Sequence, residues 1–117
     1  HWGSAPSIIV VEPDAAPALF NSINAGHCVT TAGAVSNMGR LDCKEPSLIA
    51  LKGLARDADI FCLISDAVAT AAMPILDAAD LATTPSGGAG LAALLAGIEG
   101  IDSHSRVLCI LTEERDN

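Results

Sequence analysis

Two stretches of this sequence carry residue types suited to holding a small flat or anionic ligand. The first is Thr83-Thr84-Pro85-Ser86-Gly87-Gly88-Ala89-Gly90, which places hydroxyls and glycines ahead of an apolar helical pattern. Helix N-terminal N–H groups attract anions, and glycine lets a ligand approach the backbone closely. The same residues also suit a structural task, with Ser86 as a cap and the glycines allowing a helix to pack tightly on a sheet. The second is Thr112, which follows the apolar run Val107-Leu108-Cys109-Ile110-Leu111. A neutral hydroxyl at a strand end can donate a hydrogen bond to a ring nitrogen, or simply cap the next turn.

Other chemistry finds little support. His27 and His104 fall in loop-like sequence and His1 is terminal, with no His-x-x-x-His or Glu-x-x-His spacing for a metal. Asp42, Glu45, Asp57 and Asp59 read as solvated carboxylates. Neither a Gly-x-Ser-x-Gly nucleophile elbow nor a P-loop is present. Cys28, Cys43, Cys62 and Cys109 form no Cys-x-x-Cys pair. They read as four structural thiols, Cys62 and Cys109 as small buried hydrophobes, and point to a reducing, cytoplasmic setting.

These stretches must be positioned by the elements around them. Ser7-Ile8-Ile9-Val10-Val11 and Asp59-Ile60-Phe61-Cys62-Leu63-Ile64 are apolar runs without alternation, as expected of strands buried on both faces. Val107–Leu111 reads as a third such strand. Asp14 is placed to cap a helix with Ala16, Leu19, Phe20 and Ile23 on one face, closed by Gly26. Residues 27–44 form a connection too long for an ordinary loop, and long ordered loops usually have a task. Pro46 restarts a helix with Leu48, Leu51 and Ala55 as its buried stripe. Ser65 caps a helix that Pro74 should kink or break. The last helix carries Leu91, Leu94, Leu95 and Ile98 on one side. The order β-α-loop-α-β-α-(short strand or turn)-α-β predicts a three-layer α/β fold, a mostly parallel sheet with helices on both faces.

Composition narrows the partners. With 117 residues, 50% hydrophobic and 17% charged, the chain can form one ordered domain. A formal net charge of -8 and scattered Lys and Arg argue against nucleic acid and anionic lipid. The apolar runs are far short of a membrane span.

In order along the chain, several segments resemble the C-terminal region of fold-type-II, tryptophan-synthase-β-like enzymes that use pyridoxal phosphate (PLP). The likeness is greatest to ammonia-lyases and threonine dehydratases. Ile9-Val10-Val11-Glu12-Pro13 is similar to a Val-x-x-Glu-Pro strand end, and Thr30-Thr31-Ala32-Gly33 to a Thr-x-Ala-Gly segment. Met38 through Ser47 resembles the long loop of diaminopropionate ammonia-lyase-like proteins. Asp59 through Asp66 looks like a strand followed by Ser/Thr-Asp. Thr84-Pro85-Ser86-Gly87-Gly88-Ala89-Gly90 resembles a Glu-Pro-Ser-Gly-Ala motif, and Leu111-Thr112-Glu113 the last strand.

The resemblance implies that residues 1–117 are a single α/β domain, part of the large domain of a longer enzyme. It implies PLP as cofactor of the full-length protein. Thr112 would then face the pyridine nitrogen, and Thr84, Pro85, Ser86 and Gly87 would lie beside the ring. It implies α,β-elimination with release of ammonia from a small amino acid: 2,3-diaminopropionate first, threonine or serine as the alternative. The family's Schiff-base lysine and glycine-rich phosphate loop lie upstream of this region, and Lys44 and Lys52 match neither context. No catalytic residue is therefore assigned, and the 117 residues alone are expected to be inactive. Relatives often carry Glu where this chain has Thr84, so no charged role passes to that position. A partial sheet should leave apolar surface exposed, so self-association, or a homodimer, is expected.

Two readings of another class stay open. A phospho-acceptor receiver would use Val10-Val11-Glu12-Pro13-Asp14 as its acidic strand end, but the final strand runs into Thr112-Glu113 with no lysine nearby. A stand-alone α/β module would use the glycine-rich helix start to bind an anion.

Overall fold

A computed structural model describes residues 6–115. Strand β1 (Ile9–Pro13) leads through helix α1 (Ala18–Ala25), the long loop and helix α2 (Leu48–Asp57) to strand β2 (Ile60–Ile64). Helices α3 (Asp66–Ala78) and α4 (Ala89–Ala96) follow. The strands pair in parallel, with Val11 opposite Cys62 and Pro13 opposite Ile64.

The two strands are covered less completely than their unbroken apolar runs suggest: only Pro13 and Ile64 are buried, and Ile60 is 40% exposed. Val11, Cys62 and Ile64 pack with Met38, Ala69, Ala72, Ala89, Ala92 and Ala93 in the main core. Glu12, one residue along and so on the opposite face, reaches the start of α1. Its carboxylate accepts hydrogen bonds from the N–H groups of Leu19 (3.0 Å) and Phe20 (2.8 Å). Glu12 thus does what Asp14 was expected to do. The residue at the helix start is Pro17, which offers no side-chain cap. Gly26 closes α1 as anticipated, at φ 75° in the left-handed region.

Alanine density, rather than leucine spacing, decides which helix faces are buried. In α4 the buried residues are Ala89, Ala92 and Ala93, while Leu95 of the expected stripe is 51% exposed. Small side chains let α4 approach α3 and the strands closely, and the larger leucines are displaced outward. In α2 only Leu51 is buried; Leu48 and Ala55 are exposed. Ser47, not Pro46, stands at the start of that helix, and its hydroxyl accepts from the Ala50 N–H. Ser65 caps α3 through the Val68 N–H (3.2 Å). Helix α3 runs on through Pro74, held by buried Ala69, Ala72 and Leu76 on either side of it.

The third strand is not formed among the described residues. Val107–Leu111 has no ladder partner, and Leu108 and Ile110 are 78% and 74% exposed. An apolar run becomes a strand only where an edge is offered to it, and here neither β1 nor β2 pairs with it. Cys62 and Cys109 are half-buried rather than fully buried, and all four thiols are free. Among the described residues no helix is long and apolar enough to cross a membrane.

The long loop is ordered by specific anchors. Met38 is fully buried in the core. The Lys44 ammonium donates to the Ala15 and Ala34 carbonyls (2.8 Å each) and to Asp42 (2.6 Å). Asp66, at the start of α3, accepts from the Ser36 hydroxyl (2.6 Å) and the Asn37 N–H (2.9 Å).

Two carboxylates give opposite pH dependences. Burial pushes the Glu12 carboxyl above its usual range, against the lowering effect of the Leu19 and Phe20 N–H groups. The folded chain therefore binds this proton more tightly than the unfolded chain. Its contribution to stability is largest in acid and declines as pH rises from the ordinary glutamate value through the higher folded one. Glu12→Gln should flatten that slope in urea unfolding measured across pH. Glu12→Ala should cost about 1–2 kcal/mol by leaving two first-turn N–H groups without their acceptor. For Asp66 the Ser36 hydroxyl, then the Asn37 N–H, holds the carboxyl below its usual range. Its anchoring is complete above the ordinary aspartate value and is lost as pH falls through the lower folded one. Amide exchange at Asn37 and Met38 should accelerate in that acid window, and at all pH values in Asp66→Asn.

Candidate functional site

Three chain segments meet beyond the C-terminal end of β2, where ligands gather in open parallel sheets. They are the loop residues Asn37, Gly39 and Arg40, the turn Thr84-Pro85-Ser86, and the terminal residues Thr112, Glu113 and Glu114. Together they line a cavity of about 600 Å³. That is within the range of small-molecule and cofactor sites.

Four of the five residues anticipated from sequence, Thr84, Pro85, Ser86 and Thr112, are thus brought to one cavity wall although Thr112 is remote in sequence. Gly87 is not on that wall, and its role is close packing. A Cβ there would lie 2.5 Å from the Thr83 hydroxyl and 2.9 Å from the Glu113 Cβ. Gly88 is equally constrained, its virtual Cβ meeting the Thr83 methyl at 2.9 Å and Leu76 at 3.1 Å. The hydroxyls of the turn are committed to neighbours. Thr84 Oγ1 accepts from the Gly87 N–H (3.1 Å), and Ser86 Oγ accepts from the Arg40 N–H (3.0 Å). Gly88, rather than Ser86, stands at the start of α4.

The residue that sequence reasoning passed over is Glu113. Its carboxylate accepts from the Thr84 hydroxyl through one oxygen and pairs with Arg40 Nε at 3.0 Å through the other. Its main-chain carbonyl accepts from the Thr83 hydroxyl at 2.8 Å. Only a three-dimensional arrangement brings residues 40, 84 and 113 together, so no local motif marked this triad.

The lining suits a PLP ring. Beside the hydroxyls and the Asn37 amide it carries one guanidinium, Arg40, and two carboxylates, Glu113 and Glu114, and no group of three metal-ligating side chains exists among the described residues. Thr112 is exposed on the wall. Neither lysine is part of it: the Lys44 ammonium is held by the three loop oxygens named above, and Lys52 is exposed on α2.

No curated protein matches the chain. A solved threonine deaminase from T.th. superposes with a TM-score of 0.70 at 22% sequence identity, over 77% of this chain. The chain spans 33% of the length of that enzyme. The likeness establishes a shared fold. The family of pyridoxal-phosphate dependent enzymes matches residues 1–113, which sets the receiver reading aside. This chain belongs to the pyridoxal-phosphate dependent enzyme family, whose cofactor is PLP.

Proposed function

We propose that this chain forms the ring-nitrogen side of a PLP-dependent lyase that releases ammonia from a small amino acid, with 2,3-diaminopropionate as its substrate. One observation carries the substrate choice: the cavity sets two carboxylates, Glu113 and Glu114, against a single guanidinium, Arg40. An acidic wall attracts an amino acid with a second ammonium group more than one with a neutral hydroxyl.

When bound, PLP supplies an electron sink for the charge that develops at the substrate's α-carbon. The chain's own part is to hold and tune. The Thr112 hydroxyl would face the ring nitrogen, and a neutral partner there would leave the sink weaker than a carboxylate would. That suits α,β-elimination better than transamination. Thr84, Pro85 and Ser86 form the floor beside the ring. Gly87 keeps that floor against the terminal segment. No proton-transfer role falls to Lys44 or Lys52, whose positions are away from the cavity.

Threonine or serine dehydration is the second reading, favoured by the fold shared with a threonine deaminase. Assay of the whole encoded protein separates the two. Pyruvate formed from 2,3-diaminopropionate but not from serine, with no 2-oxobutyrate from threonine, is the expected result; the reverse would overturn it. Glu114→Gln should raise KM for diaminopropionate about three- to tenfold, the loss of one charge-assisted contact, with kcat little changed.

A further inference from the structure

The terminal segment presents a mechanical problem. Thr112 is the residue on which ring contact depends, yet Val107–Leu111 before it has no ladder hydrogen bonds among the described residues. Extended backbone without such bonds does not by itself fix a hydroxyl to the fraction of an ångström that a cofactor contact needs. Beyond Thr112, Arg115 pairs with Asp77 of α3, but both side chains are substantially exposed. The firm attachment is Glu113. It is half-buried and makes three contacts to two other segments: Thr84 and Arg40 through its carboxylate, Thr83 through its carbonyl. Gly87 has no side chain where Glu113 packs, so the segment sits directly on the turn.

We infer that Glu113 is the positioning residue for Thr112, clamping the terminal segment to the Thr83-Thr84 turn so that the adjacent hydroxyl is held at the cofactor ring. Arg40 completes the clamp from the long loop and carries the loop's own wall residues, Asn37 and Gly39, into the same register. Glu113 acts through Thr112 and the turn, not on the ring. The inference rests on the reading of Thr112 as the hydroxyl that faces the pyridine nitrogen.

The test uses the whole encoded protein loaded with PLP, and reads the absorbance maximum of the bound cofactor and the dissociation constant for PLP. Thr112→Val should displace the maximum and weaken PLP binding about tenfold, as expected for one lost hydrogen bond. Glu113→Ala should move the maximum in the same direction by a similar amount. Glu113→Gln, which keeps an acceptor for Thr84, should lie between it and the parent. Combining Thr112→Val with Glu113→Ala should add nothing further, because both act on one contact. Should Glu113→Ala fail to fold by circular dichroism, Arg40→Ala serves in its place, since its side chain is 82% exposed and its loss leaves the core intact. A smaller displacement of the same sign is then expected. If Thr112→Val displaces the maximum but Glu113→Ala and Arg40→Ala do not, the clamp is refuted while the cofactor reading stands. An additive displacement in the double variant would also refute it, by showing a direct effect of Glu113 on the ring. If Thr112→Val leaves the maximum unchanged, the cofactor reading itself fails and the inference falls with it.

Discussion

Parallel pairing of β1 and β2 is the constraint from which the rest of this structure follows. Two parallel strands cannot be joined by a tight turn, so the chain between Pro13 and Ile60 must leave the sheet and return to its starting end. The crossover places α1 and α2 on one face. The core packed around Val11, Cys62 and Ile64 occupies the other. It also leaves the long loop to be accommodated, and this loop supplies one wall of the cavity. Packing against both faces, though only partial, accounts for the apolar runs of the strands. It also explains why Glu12, the one carboxylate within β1, is retained only with two N–H groups to answer it.

The cavity is held together by one apolar anchor and several polar contacts between its segments. Met38 and Lys44 fix the long loop from within, Asp66 fixes it from the start of α3, and Glu113 closes the remaining side. A wall assembled in this way can be charged without being loose. Arg40 and Glu113 neutralise each other, while Glu114, without a salt-bridge partner among the described residues, sets the sign of the cavity.

Much of the fold was legible in the residues. The runs at Ile9–Val11 and Ile60–Ile64 announced parallel strands, though half-buried rather than buried ones, and Ser65 and Gly26 marked helix ends for local reasons that hold anywhere in a protein. The place of four residues on the cavity wall was legible as well, because the Thr84-Pro85-Ser86 turn and the Leu111-Thr112-Glu113 segment resemble recurring segments. Legibility failed where a neighbour, not a pattern, decides. Val107–Leu111 has the sequence of a strand, but a strand is a pairing, and no partner strand meets it. The leucines of α4 have helical spacing, but alanines won the buried face because α3 and the sheet come so close.

Sequence by itself therefore determined the two paired strands, the helices, the parallel α/β class and the hydroxyl-bearing turn. Each of these is set by the covalent and steric preferences of a few consecutive residues. Tertiary structure decided that Glu12 caps a helix from a strand, that Gly87 packs instead of lining the site, and that Glu113 binds Arg40 and Thr84. Such contacts join residues far apart in the chain. Their energy depends on geometry that exists only once β1 and β2 have paired and brought those residues to one end of the sheet.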